Sequence, residues 1–123
     1  MNFDRTGIIL YVIDYEACLQ FYEQKLGLKK LFHTEALTCF EFGSSYLMIE
    51  MDDEYLDDGN DSSRIRTCLR MNVPNVKKLA TQLESEGVSV DYQEHNWGTV
   101  AKFYDPDGNL CAFKDSAKFE AHM

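Results

Sequence analysis

Three short apolar segments carry side chains that could do chemistry. Glu50 lies in YLMIEM, Cys68 lies between two arginines in RTCLR, and Lys114 lies in NLCAFK. A carboxylate buried among apolar neighbours has a raised pKa and can act as a general base beside a carbonyl group. A thiol beside arginines has a lowered pKa and can act as a nucleophile. No histidine pairs with Cys68 in a recognisable signature, so Glu50 is the candidate catalytic residue.

The cysteines and the acidic stretch do not form recognisable metal motifs. Four cysteines are spread along the chain without a CxxC pair, which is typical of buried reduced thiols rather than of zinc sites or disulfide frameworks. The segment MDDEYLDDGNDSS resembles a calcium loop. Counting back from Gly59, however, places Leu56 at a ligand position and Ile65 at the twelfth position. We therefore predict a solvated linker there.

Length, composition and charge restrict the function classes. A chain of 123 residues with 45% hydrophobic residues fits one globular domain. Its formal net charge of -9 disfavours nucleic acid as a partner and favours a cationic or neutral small molecule. The apolar runs are much shorter than a membrane span, and no signal peptide is recognisable. We therefore expect a cytoplasmic protein with no membrane partner.

The two halves of the chain repeat one order of elements. The first half reads as a strand at 8–13, a helix from Asp14 to Gly27, and the strands LKKLFHT, LTCFEFG and YLMIEM. The second reads as RTCLRMNV, the helix PNVKKLATQLESEG, and the strands VSVDYQ, GTVAKFYD and NLCAFKD. We predict a single domain, 1–123, with two βαβββ modules. Their expected bounds are about 5–52 and 64–115, with a linker at 53–63 and a tail at 116–123.

Three motifs carry a family resemblance. VIDYEACLQFYEQKLGL, FGSSYLMIEM and NWGTVAKFYDPDGNLCAFKD resemble the first helix, the fourth strand and the closing hairpin of the vicinal-oxygen-chelate family. This family includes glyoxalases, bleomycin-resistance proteins and extradiol dioxygenases. The resemblance implies an α+β fold in which two βαβββ modules form a cupped eight-stranded mixed sheet with the helices outside. It also implies a homodimer with cavities at or near the subunit interface.

The resemblance places the family's four metal-ligand positions at Gly7, Glu50, Cys68 and Ala112. Glycine and alanine have no side-chain donor, and a catalytic metal needs about three protein ligands. Glu50 and Cys68 supply only two ligands, and these differ in softness. We therefore expect no metal and no other cofactor. The chain is closest in appearance to the metal-free, bleomycin-resistance-like branch.

If those four positions face into the cup, strand alternation identifies the other inward side chains. The opposite set, which includes Leu69, Met71 and Phe113, is apolar, as packing under helices requires. Trp97 resembles a ligand-stacking position of the bleomycin-resistance-like branch, with a packing or dimer contact as its alternative role. Apolar walls with a few charged anchors are typical of a ligand pocket. The predicted ligand-binding residues are Tyr11, Tyr46, Met48, Glu50, Arg66, Cys68, Arg70, Trp97 and Lys114.

Three functions compete. In the first, the cavity binds an aromatic or amphipathic small molecule without a metal. In the second, the protein is a glyoxalase-like lyase or isomerase that uses Glu50 as a base, or a divergent metal site of Glu50, Cys68 and a histidine. In the third, the protein is structural, and a Glu50–Arg70 ion pair or the tail SAKFEAHM fills the cup. We favour the first, and enzyme activity stays open.

Overall fold

The computed structural model describes residues 1–52 and 66–123. The predicted acidic linker and the calcium-loop alternative lie outside the described residues. The chain divides into two compact units, Gly7–Thr67 and Met1–Thr6 with Cys68–Met123, which we call the first unit and the second unit.

The first unit follows the predicted order of strand, helix and three strands. Its elements are β1 (Arg5–Val12, of which residues 7–12 belong to this unit), α1 (Tyr15–Gln20), β2 (Lys30–His33), β3 (Leu37–Phe42) and β4 (Ser45–Met51). The strands pair in the order β2-β3-β4-β1. β1 runs parallel to β4, and the other pairs are antiparallel. A parallel return from β1 to β4 needs the long crossover that α1 and the intervening strands provide.

The first helix begins as predicted but does not continue as one α-helix. Asp14 Oδ1 accepts a hydrogen bond from the backbone N–H of Ala17 at 3.2 Å, which caps α1. The α-helix is followed by a π-helical turn at Phe21–Lys25, in which Leu26 N donates to Phe21 O at 3.0 Å. A π-turn adds a residue to the helical repeat. Phe21 and Leu26, which are joined by this hydrogen bond, are both exposed.

The core of the first unit lies between α1 and its strands. Tyr15, Phe40, Leu47 and Ile49 are buried together. The hydroxyl of Tyr15 is 2.7 Å from Thr38 Oγ1, so the one polar atom of this aromatic side chain has a hydrogen-bond partner inside the core. The two buried hydroxyl groups, of Tyr15 and Thr38, therefore have hydrogen-bond partners in an otherwise apolar core.

The second unit repeats this plan and adds a C-terminal helix. Its elements are β5 (Thr67–Val73, of which residues 68–73 belong to this unit), α2 (Val76–Ser85), β6 (Asp91–His95), β7 (Gly98–Tyr104), β8 (Leu110–Asp115) and α3 (Ser116–Ala121). The strands pair in the order β5-β8-β7-β6, with β5 parallel to β8. Asn75 caps α2 by accepting a hydrogen bond from Lys78 N at 3.0 Å.

The two faces of the second unit differ in chemistry. Val73, Ala101 and Phe113 pack against Val76 and Ala80 of α2 and form the core. The alternate residues of the same strands face the other way, and we call that side the Lys114 face. It carries Asn72 and Arg70 on β5, Ala112 and Lys114 on β8, and Val100 and Lys102 on β7. The predicted helix-covered set is correct for Met71, Val73 and Phe113, but Leu69 is 50% exposed.

The DPDGN turn between β7 and β8 has a structural role, as its composition predicts. Asp105 accepts hydrogen bonds from Asp107 N at 2.9 Å and from Asn109 N at 2.8 Å. The Asn109 side chain donates to the same carboxylate, and these bonds lower the pKa of Asp105. Gly108 has a φ of 86°, which glycine adopts without strain. The turn fixes the register of β7 and β8.

The fold is α+β with an eight-stranded mixed sheet in the order β2-β3-β4-β1-β5-β8-β7-β6.

The C-terminal segment forms α3. Asp115 caps this helix by accepting a hydrogen bond from Lys118 N at 3.2 Å, and Phe119 is buried. Within the described residues, no helix is long and apolar enough to cross a membrane.

Candidate functional site on the Lys114 face

Lys114 is the most deeply buried charged side chain that the sequence predicts at the site. It lies on β8 and is only 6% exposed. Its Nζ donates a hydrogen bond to the backbone carbonyl of Trp97 at 3.3 Å and lies 4.3 Å from the centroid of the Trp97 ring. A carbonyl oxygen and an aromatic face both stabilise an ammonium group, although less than a carboxylate does. Trp97 therefore positions Lys114.

The β6–β7 hairpin brings Trp97 to Lys114. His95 pairs with Gly98 across the hairpin, so Asn96 and Trp97 form its two-residue turn. Gly98 has a φ of 139°, and a Cβ at this residue would overlap Lys114 Nζ. The His95 ring stacks on the indole at a centroid distance of 4.4 Å. A side chain at position 98 would be strained at this φ and would require the ammonium group to shift.

Two further basic side chains share this face. Ala112 on β8 is in register with Arg70 on β5 and with Lys102 on β7. Partners in register project to the same side of a sheet, so the small, buried Ala112 lies between an arginine and a lysine. Lys114 is two residues further along β8 and therefore projects to this side as well. Three cationic side chains thus surround one small apolar residue.

Within the described part of the chain, these cations have no acidic partner at salt-bridge distance. Among residues 1–52 and 66–123, no salt bridge forms at Arg70, Lys102 or Lys114. Arg70 Nε is buried and has no hydrogen-bond partner among them. Burial, and next the positive charge of Arg70, lower the pKa of Lys114 to about 8. The Lys114 face therefore carries positive charge that the described residues do not neutralise.

The nearest acidic side chains on these strands are engaged elsewhere. Asp115 attracts Lys114 and partly offsets the lowering of its pKa, but its carboxylate caps α3. Asp91 is in register with Lys102 at the outer strand β6, and its carboxylate accepts a hydrogen bond from Gln93 at 2.9 Å. Neither acid forms a salt bridge with the cations of the Lys114 face, as far as the described residues extend.

Four of the predicted ligand-binding residues lie on β1 and β4 of the first unit. Tyr46 is fully buried, and Met48 is also buried. Tyr11 and Glu50 are in register with each other and share the face of Tyr46 and Met48, as strand alternation predicts. Glu50 is partly buried. Its role as a general base stays a prediction.

Arg66 and Cys68 have structural contacts. Arg66 is exposed, and its guanidinium donates to the backbone carbonyl of Tyr11 at 3.3 Å. The backbone N–H of Tyr11 donates to the carbonyl of Arg66 at 2.9 Å. Cys68 is buried, with Sγ 3.6 Å from the carbonyl oxygen of Leu69. Of the nine predicted ligand-binding residues, the structure brings Arg70, Trp97 and Lys114 together around one charged centre in the second unit.

The family can be assigned from the whole chain. The sequence profile of the Glyoxalase/Bleomycin resistance protein/Dioxygenase superfamily matches residues 3–113, which contain the first βαβββ module, the second up to the middle of β8, and every predicted site residue except Lys114. The chain belongs to this superfamily. No curated protein matches the sequence.

Solved structures agree with this superfamily's fold. An NAD-dependent benzaldehyde dehydrogenase from Legionella pneumophila aligns with a TM-score of 0.71 and 14% identity over 89% of this chain and 96% of that one. A superfamily member from Vibrio splendidus 12B01 aligns with a TM-score of 0.60 and 16% identity over 89% and 96%. Streptomyces coelicolor methylmalonyl-CoA epimerase, in complex with 2-nitronate-propionyl-CoA, aligns with a TM-score of 0.64 and 17% identity over 93% of both chains. At these identities the likeness is one of fold.

The residues at the superfamily's expected metal-ligand positions do not fit a metal ion. Gly7 and Ala112 have no donor atoms, and a Cβ at Gly7 would overlap the ring of Tyr46. Tyr46 thus fills the space that a ligating side chain on β1 would need. No group of three or more His, Cys, Asp or Glu side chains in the described part of the chain could hold an ion. Glu50 and Cys68 alone provide too few ligands.

Sequence reasoning missed Lys102 and Gly98. Lys102 is in GTVAKFYD, and counting the antiparallel register back from the DPDGN turn places it opposite Ala112. That register was a usable signal for Lys102. Gly98 carries no such signal, because its importance depends on where a lysine sixteen residues later places its ammonium group.

Proposed function

We propose that this protein binds a small organic anion on the Lys114 face, with Lys114 and Arg70 as its charged anchors. The observation that carries the proposal is the buried lysine beside an arginine, with no acidic partner for either among the described residues. Burying a charge without a counter-ion costs free energy, and a bound carboxylate or phosphate would remove much of this cost. The donor types suit such a ligand, since a guanidinium can bind a carboxylate through two hydrogen bonds.

The surroundings of the cations favour an organic rather than an inorganic anion. Val100 and Ala112 are buried apolar neighbours on the same face. Trp97 is 50% exposed and lies over Lys114, so its aromatic edge is available to the apolar part of a ligand. Apolar lining with a few polar anchors is the usual composition of a small-molecule site. An aromatic carboxylate combines both requirements.

The net charge of -9 favours cationic or neutral ligands, whereas the basic side chains of the Lys114 face favour an anion. Charges farther than about 8 Å are largely screened at physiological ionic strength, so neighbouring cations dominate recognition. We propose metal-free binding, because Gly7 and Ala112 have no donor atoms and Glu50 and Cys68 alone are too few ligands for a metal ion. We further propose that the protein is a cytoplasmic homodimer of the bleomycin-resistance-like branch. Light scattering on the purified protein would test the dimer.

Isothermal titration with phenylacetate and with phenylacetamide at pH 7 tests the proposal. The two probes share their aromatic part and differ in charge. We expect phenylacetate to bind at least about tenfold more tightly, because a charged hydrogen bond contributes about 1.5–3 kcal/mol. A chelator should have no effect. Equal affinity for the acid and the amide would contradict the proposal.

Variants locate the binding site. Arg70→Met and Lys114→Met should each weaken phenylacetate binding about tenfold or more. Lys77→Met is the matched control, because Lys77 is an exposed lysine on α2, which packs on the opposite face. Affinity should also fall as the pH rises through about 8, where Lys114 loses its charge. Tight binding that is unchanged in both site variants would place the ligand elsewhere.

A further inference from the structure

We propose that Lys114 condenses with the carbonyl group of a 2-oxo acid and holds it as an imine, while Arg70 binds the adjacent carboxylate. This proposal rests on the proposed anion binding and names the ligand class. It also assigns Lys114 a covalent role that is separate from its charge.

The environment of Lys114 meets the first requirement for imine formation, which is an amine that loses its proton readily. Lysines become nucleophilic when they are desolvated or lie beside another cation. Lys114 has both features, because it is 6% exposed and the positive charge of Arg70, on the adjacent strand, acts on it. The pKa of Lys114 is about 8, compared with 10.5 for an ordinary lysine. At pH 8, the Lys114 amine is therefore neutral in about half of the molecules. An ordinary lysine is less than about 1% neutral at that pH.

The contacts of Lys114 meet the second requirement, which is an amine held in place but not neutralised by an acid. Nζ rests against the carbonyl oxygen of Trp97 at 3.3 Å, and this acceptor can receive a hydrogen bond from either the ammonium or the neutral amine. Lys118 and Asp115 also act on Lys114, with opposite signs. No salt bridge to a carboxylate fixes the ammonium form, as far as the described residues show.

Arg70 meets the third requirement, which is recognition of the group next to the reacting carbonyl. In a 2-oxo acid the carboxylate is bonded directly to the carbonyl carbon, so both anchors act on neighbouring atoms. Arg70 and Lys114 lie on adjacent strands of one face, and the Nε of Arg70 is buried without a hydrogen-bond partner in the described part of the chain. A carboxylate there would accept that hydrogen bond.

The reaction balances without another reagent. The neutral amine of Lys114 attacks the carbonyl carbon, the C=O π electrons move to oxygen, and proton transfer gives a carbinolamine. Loss of water then forms the C=N bond. Starting from the ammonium form, one lysine and one ketone give one protonated imine and one water, so the total charge is unchanged. The protonated imine keeps a positive charge beside the carboxylate, which Arg70 also stabilises.

Reductive trapping tests the proposal. The purified full chain is incubated with phenylpyruvate and sodium cyanoborohydride at pH 8, and peptide mass spectrometry locates the adduct. We expect the adduct on Lys114, formed at least about tenfold faster than on the exposed Lys77, because the neutral fraction of Lys114 is larger. Lys114→Arg keeps the positive charge but removes the nucleophile, so it should abolish this adduct.

A second ligand separates failure of this proposal from failure of anion binding. Phenyllactate has the same carboxylate and ring but no ketone, so it reports anion binding alone. If phenyllactate binds to the wild type and phenylpyruvate gives no adduct at Lys114, the imine is overturned and the proposed function stands. If neither acid binds, both proposals fail. Trapping at equal rates on Lys77 and Lys114 also overturns the imine.

Discussion

Replacing Lys114 by methionine should stabilise the protein, which is unusual for a substitution at a buried residue. The charged form of Lys114 is disfavoured in the folded state, because burial and Arg70 lower its pKa from 10.5 to about 8. At about 1.4 kcal/mol per pH unit, this difference corresponds to about 3 kcal/mol at neutral pH. Methionine has a similar length, and its thioether can pack against the Trp97 ring. We expect a net gain of about 1–3 kcal/mol.

The pH dependence gives the sharper test. Between pH 8 and 10.5 the unfolded chain binds more protons at Lys114 than the folded chain does, so wild-type stability rises with pH in this window. Below pH 8 both states are protonated, and the cost is constant. The stability advantage of Lys114→Met should therefore be largest at or below pH 8 and should disappear towards pH 10.5. Taking the difference between two variants cancels the other titrating groups.

Urea unfolding at fixed protein concentration, in steps from pH 7 to 10.5, measures this difference. Lys77→Met serves as the control and should show no such pH dependence, because Lys77 is exposed. A constant difference between wild type and Lys114→Met across the series would refute the argument from desolvation. A large destabilisation at pH 7 would show that Lys114 has an acidic partner in solution.

Three further predictions concern close packing. Gly98→Ala should lower the free energy of unfolding by about 1–3 kcal/mol, because its Cβ would occupy the position of the Lys114 ammonium group at a positive φ. If the stability of this variant depends on pH in the same way as that of the wild type, Lys114 has not been displaced and the prediction is wrong. Gly7→Ala should cost about 1–3 kcal/mol, and Tyr46→Leu in the same chain should recover part of it; an additive double mutant would argue against overlap. Tyr15→Phe should cost about 1 kcal/mol through loss of the 2.7 Å contact with Thr38, measured in the same assay, and Thr38→Val should then add little.

The sequence predicts the parts of the fold that depend on local chemistry. Asp14 caps the first helix, DPDGN forms a turn, and the alternation of RTCLRMNV separates a helix-covered set from a polar set. In each case a few neighbouring residues determine the conformation. The π-helical turn at Phe21–Lys25 does not follow from the pattern, because its apolar spacing also fits a regular α-helix.

The site is less predictable than the fold, because it depends on distances between strands. Alternation places Arg70 and Lys114 on one face, and the structure agrees. The contact between Trp97 and Lys114 requires the hairpin turn and the absence of a Cβ at Gly98. Neither requirement follows from spacing along the chain. The sequence therefore leaves Trp97 open between a ligand-stacking role and a packing or dimer contact, and the structure shows its ring in contact with the Lys114 ammonium group and with His95.

The energetics of Lys114 distinguish a binding role from a structural one. A lysine that serves the fold would form a salt bridge with an acid, as Lys30 does with Glu23 at 3.1 Å, and its charge would not oppose folding. Lys114 instead has a carbonyl and an indole, a positive neighbour and a lowered pKa. Burying the charge of Lys114 costs folding free energy. Binding of an anion would offset this cost, since the ligand supplies an opposite charge. Lys114→Met should therefore combine higher stability with weaker phenylacetate binding, an opposition that a purely structural lysine would not show.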